Sequence, residues 1–571
     1  MTENRNMFLA ILLSIVVLFG WTAVSERFFP TPAPKPAETA SATDATVVPG
    51  DTTAPIADAP RVIRGRAAVL ADSPRIPVRT PSLSGSINLK GARIDDLVLL
   101  RHSETLAKDS PKIRLFSPSG TDDAYFAEFG WTGSSGLPGS GTVWTARGGA
   151  LTPTQPVTLS WVNPEGQTFE IVLSVDKDYM FTARQRIVNR GAGAVVARPY
   201  GLIARNGVGP DPSTFNAHTG PIGVFNGETE YGVDYEDIVE APGGEIDYRS
   251  TGGWIGFTDK YWLSALVPGA NARFDANLRT SGGDRYQAGI RGEAAAVGPG
   301  ASAETVTRLF AGAKEVDLLD RYQAAGVPRL GSAIDWGWFE IIAKPIFQLL
   351  DWIYGKVGNL GVAIIGLTIL IRIVLFPIAN KQYASMAKMR AVQPQMKAIQ
   401  ERYKDDKLKQ QQAMMELYKT EKVNPMAGCL PILLQIPIFY ALYKTLFLVI
   451  DMRHQPFALW IKDLSAPDPL TPVNLFGLLD FTPPLWLGIG VLPILLGITM
   501  WVQQKLNPQP MDEVQQKVFA FLPWIFMVIM APFAAGLQLY WTVNNLISIG
   551  QQWVLIKRHP APPAAAPAKA K

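Results

Sequence analysis

The most constraining feature of this chain is a run of 39 residues without a charged side chain, residues 518–556. As one α-helix the run would be about 58 Å long at 1.5 Å per residue, nearly twice a hydrocarbon core of roughly 30 Å. It must therefore fold back on itself. Pro532 is the predicted break, because proline removes a backbone donor and its ring clashes with the preceding helical turn. The run predicts two membrane-spanning helices.

Four further segments are apolar enough to span a membrane: residues 7–24, 358–378, 429–450 and 485–502. We interpret the first as an anchor within residues 1–29 rather than a secretory signal, because no small-residue cleavage site follows it. A mean hydropathy of +0.10 and a charged fraction of 18% agree with a membrane protein. The sequence therefore predicts a polytopic α-helical membrane protein with six transmembrane helices, five of them within residues 358–558.

The charges of the loops predict the orientation of these helices. Residues 381–422 hold ten Lys and Arg against five Asp and Glu, so the positive-inside rule places this segment in the cytoplasm. Because successive spans cross the membrane in alternating directions, both termini are predicted to be cytoplasmic, with a tail at 559–571. Residues 25 to about 357 are then predicted to be exported. The exported residues contain no cysteine, since the single one is Cys429, and this is compatible with an oxidising compartment, which suggests a bacterial inner membrane.

The exported half has its own pattern. Residues 30–62 are mostly Pro, Ala, Thr and Asp, a composition that predicts a disordered linker. Residues 63–330 contain short β-type runs separated by turn residues, such as 157–162 and 195–202, and predict an all-β sandwich that ends in a short helix. Its aromatic stretch at 252–262 could be a binding surface, although buried packing is the favoured interpretation.

Residues 331–357 lead from the sandwich back to the membrane. Polar residues recur there at helical spacing among large apolar ones. The pattern predicts an amphipathic helix lying on the membrane surface, with Pro345 as a bend. An ordinary helix packed on the sandwich is the alternative.

Arg372 is the main candidate functional residue. It lies nine residues before Lys381, about 13 Å along a helix, and so well inside the hydrocarbon. Arginine keeps its proton in proteins, and a central one costs about 2.5 to 3.5 kcal/mol on insertion scales, so it must face a partner or water. A salt bridge with an acidic residue would be the simplest way to accommodate Arg372 in the membrane, but none of the five predicted C-terminal spans contains Asp or Glu. We expect Arg372 to face a wet cavity that attracts acidic groups from elsewhere.

The last span supplies a polar wall for such a cavity. Five residues fall within a stripe about 120° wide on one helical face. They are Gln538, Thr542, Asn545, Ser548 and Gln552. Thr368 and Gln435 add polar groups at comparable depth. The pattern predicts a hydrophilic groove open to the cytoplasm, and hydrogen bonding between helices explains it equally well.

The basic segment 381–422 reads as two helices hinged at 405–406. We interpret this hairpin as an element that recruits other components. Alternatively, its cations could bind anionic lipid headgroups. Those cations include Lys388, Arg390, Lys397, Arg402, Lys404, Lys407 and Lys409. Its methionines suit either adaptable contacts or the core of the hairpin itself.

Several classes of function are disfavoured. A net charge of +4 is too small to argue for nucleic-acid binding, and one cysteine with four scattered histidines offers no metal cluster. The sequence has neither a phosphate-binding GxxxxGK[ST] loop nor a GxSxG nucleophile turn, so we expect no cofactor and no enzymatic activity. A small-solute transporter or channel is the alternative, but the spans show no repeat of the kind many transporters carry.

Six motifs carry a resemblance to a known family. They are TILIR at 368–372, QYASMAKMR at 382–390, VNPMAGCLP at 423–431, QIPIF at 435–439, PFALW at 456–460 and LYWTVNN at 539–545. Together they resemble the YidC family of membrane protein insertases over about residues 333–558. The exported half is more weakly similar to the periplasmic domain of bacterial members, notably in the GGW at 252–254.

This resemblance implies an insertase that transfers hydrophobic segments of nascent or completed membrane proteins into the bilayer, alone or with the Sec translocon. Arg372 matches the groove arginine of the family. The positions matching its substrate contacts are Thr368, Ile436, Pro437, Phe439, Leu442, Tyr540 and Trp541. Several bacterial members carry tyrosine where Trp541 stands. The hairpin would recruit substrate, ribosome or signal-recognition components.

Overall fold

The computed structural model describes residues 62–210, 217–337, 340–404, 406–421, 430–479, 481, 488–506 and 513–558. The predicted anchor, almost all of the predicted linker and the predicted tail lie outside these residues. The chain divides between Asp335 and Trp336 into a strand-rich unit and a helical unit.

The first sheet of the strand-rich unit is entirely antiparallel. Its strands are β1 (Arg75–Arg79), β2 (Leu83–Asn88), β3 (Arg93–Ser103), β4 (Lys112–Phe116), β5 (Tyr125–Gly133), β10 (Val195–Asn206), β13 (Glu245–Thr251), β16 (Arg273–Thr280), β17 (Arg285–Arg291) and β18 (Ala295–Val297). They lie in the order β1-β2-β3-β5-β10-β17-β16-β13, with β4 paired to β3 and β18 to β10.

The second sheet is also antiparallel. Its strands are β6 (Thr145–Arg147), β7 (Val157–Val162), β8 (Gln167–Val175), β9 (Met180–Asn189), β11 (Gly220–Phe225), β12 (Glu228–Glu230), β14 (Gly253–Thr258), β15 (Trp262–Val267) and β19 (Ser302–Ala313). They lie in the order β12-β11-β14-β15-β19-β9-β8-β7-β6.

Alternating side chains hold the two sheets together. In β8, Phe169, Ile171 and Leu173 are buried while the residues between them are only partly covered, which is the period of two expected for a strand with one face on a core. The sheets contact each other at β5 and β9, β10 and β15, and β14 and β17. The predicted all-β sandwich is confirmed, and β10 is longer than the run at 195–202 indicated.

The aromatic stretch at 252–262 lies in β14 and at the start of β15. Trp254 and Phe257 have no exposed surface, and Trp262 is buried as well. The indole Nε1 of Trp254 donates to the carbonyl of Pro328 at 3.0 Å. The favoured interpretation, buried aromatic packing, is therefore correct, and these rings are not a binding surface.

Three short helices accompany the sheets: α1 (Arg66–Leu70), α2 (Tyr235–Glu240) and α3 (Val316–Ala324). The last of these is the helix predicted at the end of the sandwich. Glu315, at its N-cap, accepts a hydrogen bond from the Tyr179 hydroxyl at 3.1 Å. The same carboxylate lies 3.4 Å from Nε2 of His102 and 3.5 Å from the guanidinium of Arg101. These contacts fix the start of α3 to β3 and to the residue that precedes β9.

This cluster predicts acid sensitivity of the sandwich. Burial disfavours the charged form of Glu315, but hydrogen bonds from His102 and Tyr179 and the charge of Arg101 outweigh it, so its pKa is lowered. A lowered folded-state pKa means that the stabilisation is present above the pKa of the unfolded chain, about 4.3, and is lost as the pH falls further. Thermal unfolding followed from pH 7 downwards should show this loss. The Glu315→Gln variant should show a smaller acid dependence, and an unchanged one would contradict the assignment.

The helical unit contains seven α-helices within the described residues. They are α4 (Glu340–Val357), α5 (Leu360–Arg402), α6 (Lys407–Thr420), α7 (Leu430–Leu448), α8 (Val491–Leu506), α9 (Glu513–Met530) and α10 (Ala535–Arg558). The uncharged run is interrupted at 531–534, around Pro532, so the predicted break is confirmed.

Two predicted helices have different limits in the structure. The amphipathic helix begins only at Glu340, after a short 3₁₀ turn at Leu330–Ala333. The predicted second span and the first hairpin helix are one continuous helix, α5, which accommodates Pro377 and Pro394 in its interior. The change from apolar to basic residues near 379–381 alters what surrounds the helix and not its backbone hydrogen bonding. The hairpin packs on itself through Val392 and Met396.

The methionines of the hairpin belong largely to that internal core. Met389 and Met414 pack against Val392 and Met396, together with Leu417 and Tyr418. Met415 is exposed. The core interpretation therefore accounts for most of the methionines whose side chains the structure describes.

One helical segment among the described residues, Leu360–Gln382, has the length and composition to cross a membrane. The apolar segments Val491–Leu506 and Phe519–Met530 are shorter. The count of six transmembrane helices stays a prediction, since its first helix lies outside the described residues.

Candidate substrate-binding site in the helical unit

The candidate site lies where α5, α7 and α10 meet. Helix α10 packs against α5 and α8, and α7 contacts both α10 and α4. Arg372 is twelve residues from Leu360 and ten from Gln382, the ends of the membrane-crossing segment. At 1.5 Å per residue these separations are about 18 and 15 Å, so Arg372 lies near the middle of the segment.

Arg372 is held by α10. Its Nε donates to Oδ1 of Asn544 at 2.8 Å, and its Nη2 donates to the Asn544 carbonyl oxygen at 3.4 Å. The Arg372 side chain is half-buried, whereas Asn544 is buried. A neutral amide therefore fixes the direction of a guanidinium that keeps part of its surface accessible.

Tyr540 lies one helical turn before Asn544 on the same face of α10. Its hydroxyl accepts a hydrogen bond from Nε2 of Gln435 on α7. This contact and those of Arg372 bring together four residues from three helices. Sequence analysis had singled out three of the four, Arg372, Gln435 and Tyr540. Thr368, one turn before Arg372, is buried and donates to the carbonyl of Ile364 in its own helix at 2.7 Å.

Aromatic rings border the polar cluster. Phe439 of α7 meets Trp541 of α10 edge-on, with ring centroids 4.7 Å apart. Trp541 also contacts Phe526 of α9 at 4.6 Å. Ile436 is exposed, while Pro437, Phe439 and Trp541 are half-buried. This side of the cluster presents accessible apolar and aromatic surface.

The polar stripe of α10 has several different partners. Nε2 of Gln538 donates to the carbonyls of Met530 and Phe533, both at 2.8 Å, and so satisfies carbonyls at the end of α9 and in the following turn. Nδ2 of Asn545 donates to Oγ1 of Thr499 on α8 at 3.2 Å. The hydrogen-bonding interpretation thus describes Gln538 and Asn545.

Two other side chains of the stripe hold buried polar atoms. Oγ1 of Thr542 and Oε1 of Gln552 have no hydrogen-bond partner among the described residues. Ser548 donates to the carbonyl of Asn544 within α10 at 2.7 Å. Buried polar atoms of this kind are typical positions for ordered water.

The sequence-predicted residues therefore fall into two groups. Six keep accessible surface: Arg372, Gln435, Ile436, Pro437, Phe439 and Trp541. Six are buried: Thr368, Leu442, Gln538, Tyr540, Thr542 and Asn545. Leu442 has no exposed surface at all. Only the first group can touch a substrate without movement of the bundle.

Asn544 and Phe526 were missed by sequence reasoning. Asn544 lies about 40° outside the polar stripe at 100° per residue, beyond Ser548, and so was not counted with it. Its asparagine neighbour, Asn545, was the only available signal. Phe526 carries no signal, because it is one of many apolar residues in an apolar helix.

The cations of the hairpin lie apart from this cluster in sequence. Lys388, Lys397, Arg402, Lys404 and Lys409 are exposed, and Lys409 pairs with Asp406 at 3.1 Å. The side chains of Arg390 and Lys407 are outside the described set. No group of three or more His, Cys, Asp or Glu side chains suited to a metal ion occurs among the described residues.

Comparison with known proteins identifies two family regions. The family described as "60Kd inner membrane protein" matches residues 352–562, and the family described as "YidC periplasmic domain" matches residues 75–349. The chain thus combines an inner membrane region with a periplasmic domain.

Curated relatives match almost the whole chain. The membrane protein insertase YidC of Zymomonas mobilis is 50% identical over 563 residues, covering 98% of this chain and 96% of the relative. The membrane protein insertase YidC of Methylorubrum extorquens is 45% identical, with the same coverage. A solved structure of an active YidC insertase with its first transmembrane domain resolved is 17% identical, with a TM-score of 0.36, and the match covers 83% of this chain and 91% of that one.

Identity of this extent over nearly the full length of both sequences shows shared descent. The resemblance first indicated by the short motifs is confirmed by both halves of the molecule. The chain belongs to the YidC family of membrane protein insertases.

Proposed function

We propose that this chain inserts hydrophobic segments of membrane proteins through a hydrophilic groove centred on Arg372. The observation that carries the proposal is the half-buried guanidinium near the middle of the membrane-crossing segment, held by the neutral side chain of Asn544. A charge at this depth is costly, and intramembrane ionisable residues are therefore functional candidates by default.

The guanidinium would attract acidic residues in the polar tail that a substrate must translocate. Arginine stays charged under all relevant conditions, so this attraction does not depend on pH near neutrality. Thr542 and Gln552 offer buried polar atoms that suit bound water. A hydrated recess shortens the hydrophobic distance that a polar tail has to cross.

The accessible side chains would guide the apolar part of the substrate. Ile436, Phe439 and Trp541 form the apolar border of the Arg372 cluster. Release into lipid is then driven by burial of apolar surface, worth about 25 cal/mol per Å². The sequence has no nucleotide-binding loop, and this mechanism requires none.

The buried group would act as scaffold. Tyr540 joins α10 to α7 by accepting a hydrogen bond from the accessible Gln435, Asn545 joins α10 to α8, and Gln538 holds the turn before α10. Leu442 and Thr368 pack inside the bundle. We assign these residues to the shape of the groove rather than to direct substrate contact.

The proposed topology has both termini in the cytoplasm, the sandwich in the periplasm and α4 at the membrane surface. In this arrangement the hairpin faces the cytoplasm and presents exposed cations such as Lys397 and Arg402. We propose that it recruits nascent chains with ribosome or signal-recognition components, that anionic lipids neutralise part of its charge, and that the Sec translocon is a partner.

A crosslinking experiment tests the groove. Photo-crosslinkers at Ile436 and Phe439 are expected to capture a stalled nascent transmembrane segment, because both side chains keep accessible surface. A crosslinker at Leu442, on the same helix but fully buried, should capture much less. The assay is the yield of crosslinked nascent chain in membranes. Equal capture at exposed positions outside the cluster, such as Leu495 on α8, would contradict the proposed groove.

A further inference from the structure

The loop between α7 and α8 carries an exposed apolar tip, which we call the apolar finger and define as residues 471–479 and 481. Its most exposed large side chain is Leu478, at 84% of full exposure. The other exposed apolar residues of the finger are Val473, Leu475, Phe476, Leu479 and Phe481. Residues 469–479 contain no charge, and Asp480 is the one charged residue between Leu479 and Phe481. Such a concentration of apolar surface on one loop marks an interaction site.

The backbone amides at the tip of the finger are paired within the finger. The amides of Leu475, Phe476, Gly477, Leu478 and Leu479 donate to carbonyls of residues 471–475, at distances between 2.8 and 3.4 Å. Leu475 and Phe476 both have positive φ, 49° and 57°, in the left-handed region that such residues rarely adopt. This tight turn directs large apolar side chains outwards while its polar backbone groups bond inwards.

Two buried polar side chains complete this arrangement. The Thr471 amide donates to Oδ1 of Asn474 at 3.2 Å, and the Asn474 amide donates to Oγ1 of Thr471 at 3.3 Å. Asn474 also accepts from the amide of Gly477 at 3.0 Å and donates to the carbonyl of Pro469. The finger thus bonds its tip amides and two polar side chains internally while it exposes large apolar side chains, which is unusual for a loop in water.

The base of the finger is tied to the start of α8. The buried Asp468 accepts from the amide of Leu492 at 2.7 Å and from the indole of Trp460 at 2.9 Å. The amide of Val491 donates to the carbonyl of Leu470 at 3.0 Å. Since α8 is an apolar helix of the membrane unit, its first turn places the finger beside the end of that helix.

We propose that the apolar finger inserts into the acyl chains of the adjacent membrane leaflet, the periplasmic one in the proposed topology. Backbone groups in hydrocarbon must be paired within the protein, and the amides of this finger from Leu475 to Leu479 are. Its uncharged, outward-facing leucines and phenylalanines fit lipid tails. Insertion fixes the depth at which α8 begins, independently of how substrates use the Arg372 cluster.

The experiment compares two labelled leucine positions in the full-length chain. Leu478→Cys and Leu106→Cys are made in a Cys429→Ser background, labelled with an environment-sensitive fluorophore and reconstituted into phosphatidylethanolamine and phosphatidylglycerol vesicles. Leu106 is 50% exposed and lies in a loop of the sandwich, so it is the matched control. Nitroxide groups on lipid acyl chains report contact with the bilayer, and iodide loaded on both sides reports contact with water.

The label at Leu478 is expected to lose most of its fluorescence to nitroxide lipids and little to iodide, with the reverse at Leu106. Quenching of Leu478 by iodide, as in the control, would overturn the proposal. Protection from both quenchers would also overturn it, because it would show that protein, such as a second copy of the chain, covers the finger. Val473→Cys, within the finger and 40% exposed, provides a second position if the Leu478 label prevents folding.

Discussion

Replacing Arg372 with alanine is expected to slow the insertion of proteins with acidic translocated tails by about tenfold. Two unit charges about 4 Å apart attract by about 4 kcal/mol at an effective dielectric constant near 20. A tenfold change in rate needs only about 1.4 kcal/mol, so loss of a third of that attraction suffices. The measurement is the initial rate of insertion into proteoliposomes, with the translocated tail detected by its protection from protease.

Two comparisons separate charge attraction from general damage to the bundle. Arg372→Lys keeps the charge and should retain most of the rate, although a lysine cannot reproduce both contacts with Asn544. A substrate whose tail has had its acids replaced by amides should be inserted equally well by all three proteins. Equal losses for Ala and Lys, or for acidic and neutral tails, would show that Arg372 serves the packing of the helices instead.

Sequence reasoning succeeded where a single physical requirement dominated. The break at Pro532 follows from the length of an uncharged run against the thickness of a bilayer. The β-sandwich follows from short β-type runs separated by turn residues, such as the run that forms β8, and the buried packing of Trp254 follows from the usual burial of large aromatic rings. In each case the alternatives are so costly that neighbouring residues cannot change the outcome.

It failed where the outcome depended on which neighbour a side chain meets. Gln538 lies on the predicted polar stripe, but its amide turns back to the carbonyls that end α9. The continuity of α5 was missed because a change from apolar to basic composition was read as the end of a helix. The residue composition changes where a helix leaves the membrane, but the backbone hydrogen bonds of the helix can continue across that boundary.

Asn544 shows what this limit means for the candidate site. The cost of a charge within the bilayer made Arg372 stand out, but it could not tell which group orients that charge. Any polar residue on the facing helix could do so, and the stripe on α10 offered five others. Only the structure reveals that Arg372 bonds a neutral amide one turn from Tyr540.

The Asn544→Asp variant is therefore the sharper test of the groove. It places a carboxylate where the amide oxygen now lies 2.8 Å from Nε of Arg372. The resulting ion pair would offset the charge that substrates are proposed to meet, so insertion of acidic-tailed proteins should fall about tenfold, as for Arg372→Ala, with Arg372 still in place. Proteins with neutral tails should be inserted at nearly the normal rate.

Two further variants control this result. Asn544→Ala removes the hydrogen bond but leaves the charge, so its effect on acidic-tailed substrates should be much smaller than that of Asn544→Asp. Asn545→Asp adds the same carboxylate one residue away, where the present side chain bonds Thr499 of α8, and tests for damage from any acid in α10. Insertion rates measured for all three with matched acidic and neutral tails decide the matter. If Asn544→Asp impairs both tails alike, or acts no differently from Asn545→Asp, the charge of Arg372 is not what the substrate recognises.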